Sequence, residues 1–173
     1  MKFSIVSNGV LFKSISGKDS FQRCDILQDS ASETKPEDSF MTDTKFKYIY
    51  GPVHSWRMGM SLGIDPISTP EKMCTFDCVY CQLGRVKETK AERVEFVQTE
   101  DVISEIRQVS RDNIDYYTFS GRGEPTLALN FGDMIRELKN DGLGKIAVIT
   151  NSSLIYQSDV QNDLLLSDLV VAK

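Results

Sequence analysis

Three of the chain's four cysteines, Cys74, Cys78 and Cys81, fall within eight residues in the stretch "MCTFDCVYCQLG" (73–84). Thiolate is the preferred ligand of iron–sulfur clusters and of structural zinc. A C-x₃-C-x₂-C loop sets three sulfurs on a tight bend, where they can hold three corners of a [4Fe–4S] cube. The fourth iron then lacks a protein ligand and is a Lewis-acidic position able to chelate a small molecule. Zinc is the competing occupant, with Cys24 or His54 completing its tetrahedron. His54 is the single histidine and stands 20 residues before Cys74, which is not a zinc-finger spacing. A disulfide inside so tight a loop would strain the backbone. Clustered cysteines in a reducing compartment point to metal rather than to disulfides, against the plainer reading of three unligated cysteines. Cys24, far away in sequence, reads as an ordinary free thiol.

The elements that must position this loop begin at residue 46. "YIYGPVHSW" is a short apolar run that ends in the turn signal Gly51-Pro52. "MSLGIDPIS" (60–68) reads as a short strand stopped by Pro66, with the cysteine loop following directly. A first helix opens at Thr99 as N-cap, with Glu100 and Asp101 in its positive first turn. Val102, Ile103, Ile106 and Val109 recur along one of its faces. "IDYYTFSG" (114–121) is β-rich and ends in Gly121. Phe131, Met134, Ile135 and Leu138 form a second helical stripe, closed by Gly142. "KIAVITN" (145–151) is a continuous apolar strand of the kind buried on both faces in a parallel sheet. Ser158 caps a third helix carrying Val160, Leu164 and Leu165, and "DLVVAK" starts another strand. Strand and helix alternate about every 30 residues, the length of a βα unit, so the class is α/β with a parallel sheet.

Residues 1–45 read differently. The segment "QDSASETKPEDSFMTDTK" (28–45) is too poor in large apolar groups to offset its ordering entropy, which marks a linker or disorder. Met41, just before the composition changes, reads as a true start site. With 20 basic and 25 acidic residues, the net charge of −5 weighs against broad electrostatic binding of nucleic acid. No apolar run reaches the ~18 residues of a membrane span. The start "MKFSIVSNGVLFKSISG" lacks the clean apolar block of a signal peptide, so the expected location is cytoplasmic.

"CTFDCVYC" resembles the C-x₃-C-x-aromatic-C signature of the radical S-adenosylmethionine (radical SAM) superfamily. The resemblance implies that Cys74, Cys78 and Cys81 bind a [4Fe–4S] cluster whose open iron is chelated by S-adenosylmethionine. It implies that Tyr80, in the aromatic slot, packs near the adenine. "SGRGEPT" (120–126) is similar to the Gly-Gly-Glu-Pro motif at the end of the second strand of that superfamily. Gly121 and Gly123 then allow close backbone approach to the cofactor, and Glu124 offers its carboxylate to the methionine ammonium. Pro125 ends the strand, and Arg122 points away. "ITNSS" (149–153) ends the next strand where related proteins carry Thr-Asn-Gly, which implies cofactor contacts from Asn151 and Ser152. A simple strand-to-helix turn is the alternative for these two. Lys173 falls near the place of a ribose-binding polar residue. "YGPVHSWRMGMSLGIDP" (50–66) resembles the opening of a branch of uncharacterised Fe–S oxidoreductases similar to tRNA wybutosine-synthesis enzymes. Here Trp56 replaces the usual first Arg, His54 stands where Pro is frequent, and Arg57 remains.

The resemblance covers residues 46–173 and implies the N-terminal part of a radical SAM core, a partial (β/α) barrel with about its first four strands. A full (β/α)₈ barrel takes ~250 residues, so the chain reads as C-terminally truncated. The implied activity is reductive cleavage of S-adenosylmethionine to a 5′-deoxyadenosyl radical, which abstracts hydrogen from a substrate. An external one-electron donor of flavodoxin or ferredoxin type is implied, and the substrate is either RNA or a small molecule. The rival readings are a non-catalytic iron–sulfur or zinc-binding module and an inactive truncated remnant.

Overall fold

The computed structural model describes residues 46–86, 89 and 91–173, with the backbone of two strands nearer the N-terminus. Those strands are β1 (Ser4–Ser7) and β2 (Val10–Leu11). The main body contains β3 (Ile49–Ser55), β4 (Gly59–Ile64), β5 (Tyr116–Phe119), β6 (Lys145–Thr150) and β7 (Leu169–Ala172). Its helices are α1 (Thr99–Ile106), α2 (Phe131–Asn140) and α3 (Ser158–Leu164), with a 3₁₀ turn over Pro125–Leu127. Cys24, Met41 and the segment 28–45 lie outside the described residues.

Strands β4, β5, β6 and β7 run parallel in that order, and β3 lies antiparallel against β4. The β2–β1 pair continues the sheet beyond β7, with β1 parallel to it. The sheet is therefore mixed and mostly parallel, consistent with part of a radical-SAM-type barrel. Register brings Ile64 beside Phe119, Phe119 beside Val148, and Thr150 beside Ala172. The carboxyl ends of four strands thus share one edge, and the residues that follow them meet there.

Side chains alternate across the strands, and the helices cover one face. Leu62, Ile64, Tyr117, Phe119, Ile146 and Val148 pack with Val102, Ile103, Ile106, Phe131, Met134, Ile135, Leu138 and Val160 in one core. The α2 stripe is fully buried, and each of its large side chains contributes about 1.5–3 kcal/mol by leaving water. Phe131 meets Phe119 edge to face at 5.0 Å. On the other face of the sheet, the hydroxyls of Ser61 and Thr118 pair at 2.7 Å.

Several local expectations need correction. β3 does not end at Gly51-Pro52 but runs through to Ser55, with a bulge between Tyr50 and Val53. Pairing along β4 carries the strand across the proline, as strands at a sheet edge allow. Thr99 and Ser158 are first helical residues rather than caps; Gln98 and Gln157 occupy the cap positions. The Thr99 hydroxyl instead accepts from Asn130 Nδ2 at 3.0 Å. Leu165 is exposed, because α3 ends at Leu164 and its buried face is carried by Val160 and Leu164. Trp56 and His54 lie on the β3–β4 hairpin, closed by the Ser55–Gly59 pair at the amino end of β4. That edge is opposite the cysteine loop. Arg57 stacks on the Trp56 ring at 4.2 Å.

Candidate functional site

The cysteine loop is fastened to the end of β5 before it reaches its first cysteine. Met73 N–H donates to the Arg122 carbonyl (3.2 Å) and Glu124 N–H donates to the Met73 carbonyl (3.0 Å). A Cβ on Gly123 would sit 1.7 Å from the Met73 oxygen, so only glycine permits this pairing. Gly121 has φ +125°, and a Cβ there would lie 2.3 Å from Asp65 Cγ. The close approaches at both glycines are therefore made by the protein's own Met73 and Asp65. Asp65, buried after β4, accepts from the backbone of Ile67 and Ser68 through one oxygen and of Arg122 through the other. One carboxylate thus ties the lead-in of the cysteine loop to the glycine turn. The Arg122 guanidinium reaches the Thr69 carbonyl, at 3.4 Å.

Cys74 is buried at 9% exposure, whereas Cys78 and Cys81 are half-buried. The loop beyond Cys74 stands open, with Val79 99% and Tyr80 76% exposed. It is held by local turns: Cys81 N–H donates to the Cys78 carbonyl (3.0 Å), and Gly84 N–H to that of Cys81 (3.2 Å). Lys72 Nζ donates to the Gly84 carbonyl at 2.8 Å. Burial alone would raise the Cys81 thiol. The Leu83 backbone N–H and the Lys72 ammonium outweigh it and hold that thiol below its usual range, which favours the ligating thiolate. Hydrogen bonding with the Cys78 sulfur, reinforced by its charge, pushes the Tyr80 phenol above its usual range. Tyr80 is thus placed against a cysteine of the loop, with its ring largely in solvent.

Glu124 is 2% exposed and caps the 3₁₀ turn. Its Oε1 accepts from Thr126 N–H (3.2 Å), Thr126 Oγ1 (2.7 Å) and Thr150 Oγ1 (2.6 Å). Its Oε2 accepts from Asn151 N–H at 2.7 Å. A carboxylate offers about two acceptor directions per oxygen, so Oε2 retains one. Asn151 also reaches the cysteine loop, its Nδ2 donating to Thr75 Oγ1 (2.8 Å) and to Cys74 Sγ (3.5 Å). Thr75 and Ser153 pair through their hydroxyls at 2.6 Å. Ser152 turns the chain at φ +64°, and its Oγ is buried with no hydrogen-bond partner. Lys173 is exposed, and its N–H continues the ladder to the Thr150 carbonyl.

The structure therefore brings Cys74, Glu124, Asn151 and Ser152 together at the carboxyl ends of β5 and β6. Gly121 and Gly123 shape that edge, and Tyr80, Cys78 and Cys81 stand on the loop above it. Among the described residues, no three His, Cys, Asp or Glu side chains converge on a position for one metal ion. His54 therefore does not join the cysteines, and Cys24, the other ligand offered for zinc, lies outside the described residues; in a cube of four irons each thiolate would have an iron of its own. Three free thiols, a spare acceptor direction on buried Glu124 and the orphaned Ser152 hydroxyl fit a cluster with a polar, cationic ligand beside it. Sequence reasoning missed Asp65, Thr75, Thr126, Thr150 and Ser153. Asp65 before a proline and Thr126 two residues after Glu124 had local signals, an Asx turn and a side-chain-to-backbone motif.

A family model described as the radical SAM superfamily matches residues 70–165, more than half of the chain. The chain is 42% identical over 132 residues to a UPF0026 protein of Synechocystis sp., covering 76% of this chain and 49% of the relative. It is 45% identical over 128 residues to a UPF0026 protein of Methanocaldococcus jannaschii, covering 72% of this chain and 39% of that one. A Brachyspira hyodysenteriae protein named GTPase Obg is 42% identical over 129 residues, covering 73% of this chain and 19% of the relative. The chain thus spans about half or less of the length of these curated relatives. No solved structure matches it. No helix among the described residues is long and apolar enough to cross a membrane. The matched span runs from the lead-in of the cysteine loop through the Glu124 and Asn151 turns into α3, and on that basis the chain belongs to the radical SAM superfamily.

Proposed function

We propose that Cys74, Cys78 and Cys81 hold a [4Fe–4S] cluster and that Glu124, Asn151 and Ser152 form the floor against which S-adenosylmethionine binds. The chain would then be the cofactor-binding part of an oxidoreductase acting on RNA or a small molecule in the cytoplasm. The observation that carries this reading is the double attachment of Asn151. Its backbone N–H holds Glu124 Oε2 and its side chain reaches Cys74 Sγ, so ligand and carboxylate belong to one network although far apart in sequence.

When bound, the cluster supplies one electron, received from a flavodoxin- or ferredoxin-like donor, and S-adenosylmethionine supplies the group that abstracts hydrogen. The protein's part is placement. Glu124, held from three sides by Thr126, Thr150 and Asn151, turns its remaining acceptor direction to the methionine ammonium. The Ser152 hydroxyl, unpaired in the protein, meets a polar group of the same ligand. Lys72 favours the thiolate of Cys81.

Glu124→Gln tests the assignment. The substitution keeps shape and removes the charge, forfeiting a charge-assisted hydrogen bond of about 1.5–3 kcal/mol. Equilibrium dialysis of S-adenosylmethionine against reconstituted protein is expected to show affinity reduced about tenfold to a hundredfold, with iron content retained. Equal affinity in a variant with the wild-type melting curve would remove Glu124 from the site.

A further inference from the structure

Asn151 was expected to touch the cofactor, yet its backbone N–H and both ends of its side-chain amide are committed within the protein. Its N–H is given to Glu124 Oε2 (2.7 Å) and its Oδ1 accepts from Ser153 N–H (2.9 Å). Because Oδ1 is occupied by a donor, the orientation of the amide is decided by its network. The NH₂ group must then face Thr75 Oγ1 and Cys74 Sγ, at 2.8 and 3.5 Å. Thr75 accepts that hydrogen bond, which leaves its own hydroxyl proton for Ser153 Oγ, 2.6 Å away. The amide is thus clamped from both sides. One N–H is anchored on Thr75 and its other end on Ser153, and the remaining N–H has Cys74 Sγ as its acceptor. Cys74 is also the most buried of the three cysteines, so solvent does not compete for this bond.

From this geometry we infer that Asn151 is a positioning residue for the cluster, raising its reduction potential by donating a hydrogen bond to the Cys74 thiolate. The inference rests on the assignment of Cys74 as a cluster ligand. An N–H directed at a ligating sulfur withdraws negative charge from the cluster and stabilises the reduced, more negative state. It also fixes the sulfur's direction, because the amide cannot rotate without breaking its bonds to Thr75 and Ser153. The same residue carries the backbone N–H that holds Glu124. One turn after β6 therefore sets both the electron affinity of the cluster and the position of the carboxylate. Cys78 and Cys81 meet donors of other kinds, Tyr80 for the first and Lys72 with the Leu83 N–H for the second; among the hydrogen bonds described, the side-chain amide is directed at Cys74.

The test uses the full chain, reconstituted anaerobically with iron and sulfide, and a spectroscopic titration with dithionite against redox mediators. Asn151→Ala removes the donor. Asn151→Asp keeps the shape and the Ser153 contact but faces the sulfur with an acceptor. The one-electron reduction equilibrium is expected to shift against reduction by about tenfold in the Ala variant, which is about 59 mV for one electron. The shift should be larger in the Asp variant, which also carries the test if Asn151→Ala does not fold. A folded Asn151→Ala that binds iron about tenfold more weakly would support the same role, through placement of the thiolate. Variants with full iron and the wild-type potential would overturn this inference and leave the cluster assignment standing. Wild-type protein that takes up no iron would overturn both.

Discussion

Cys78→Ala is expected to remove essentially all bound iron while leaving the fold unchanged. Cys78 is half-buried on an open loop, and the bond that shapes its turn uses its backbone carbonyl, which accepts from Cys81 N–H. Alanine keeps that carbonyl, so the stability change should stay within about 0.5 kcal/mol, as for other exposed positions. The cluster has no such tolerance. Two thiolates cannot hold a cube that already lacks a fourth protein ligand, and no other Cys or His converges on the loop among the described residues. Iron analysis and the visible spectrum after anaerobic reconstitution, with a thermal melt of the same sample, report both quantities. Full iron in the variant would remove Cys78 from the ligand set.

Arg93→Ala is expected to cost about 3–5 kcal/mol of stability, the range for breaking a buried ion pair. The Arg93 side chain is 6% exposed. Its guanidinium donates to the carbonyls of Thr126 (2.9 Å) and Ala128 (3.1 Å) and to the carboxylates of Asp159 (2.5 Å) and Asp163 (2.6 Å). It therefore joins the turn that carries Glu124 to the start and the end of α3. Alanine leaves Asp163, itself mostly buried, with only the longer Arg136 pair at 3.9 Å and removes a donor from the carbonyls of Thr126 and Ala128. Lysine should rescue little, because a point charge cannot serve four acceptors spread around a planar fork. The hydrogen bond from Arg93 holds the Asp159 carboxyl below its usual range. A lowered folded value means that this contribution is complete above the unfolded value, near 4, and is lost as pH falls through the folded one. Urea unfolding at neutral pH checks the prediction. A loss below about 1 kcal/mol would show that the network does not hold the two elements together.

Much of this architecture was legible in the sequence because it depends on local periodicity. The stripe Phe131, Met134, Ile135 and Leu138 announced α2, and the run over 145–151 announced a buried parallel strand. Both are where the pattern puts them. The cysteine spacing and the Gly-Arg-Gly-Glu turn were equally visible as motifs. What the motifs did not reveal is which partner each residue meets. The glycines read as room for a ligand, and the structure fills that room with Met73 and Asp65. Asn151 read as a ligand contact, and its amide is spent on Thr75 and Cys74. Such pairings join residues 50 or more positions apart and follow from the register of the parallel strands, which no local pattern encodes. The helix caps failed for a related reason. Thr99 has the right chemistry for a cap, but Asn130, a neighbour in space, takes its hydroxyl as an acceptor.

The measurement that bears most directly on the proposed chemistry is anaerobic reconstitution of the wild-type chain followed by dithionite and S-adenosylmethionine. The account predicts about four iron atoms per chain with matching sulfide, and methionine and 5′-deoxyadenosine released together. One zinc ion per chain, with no iron retained and no 5′-deoxyadenosine formed, would contradict it.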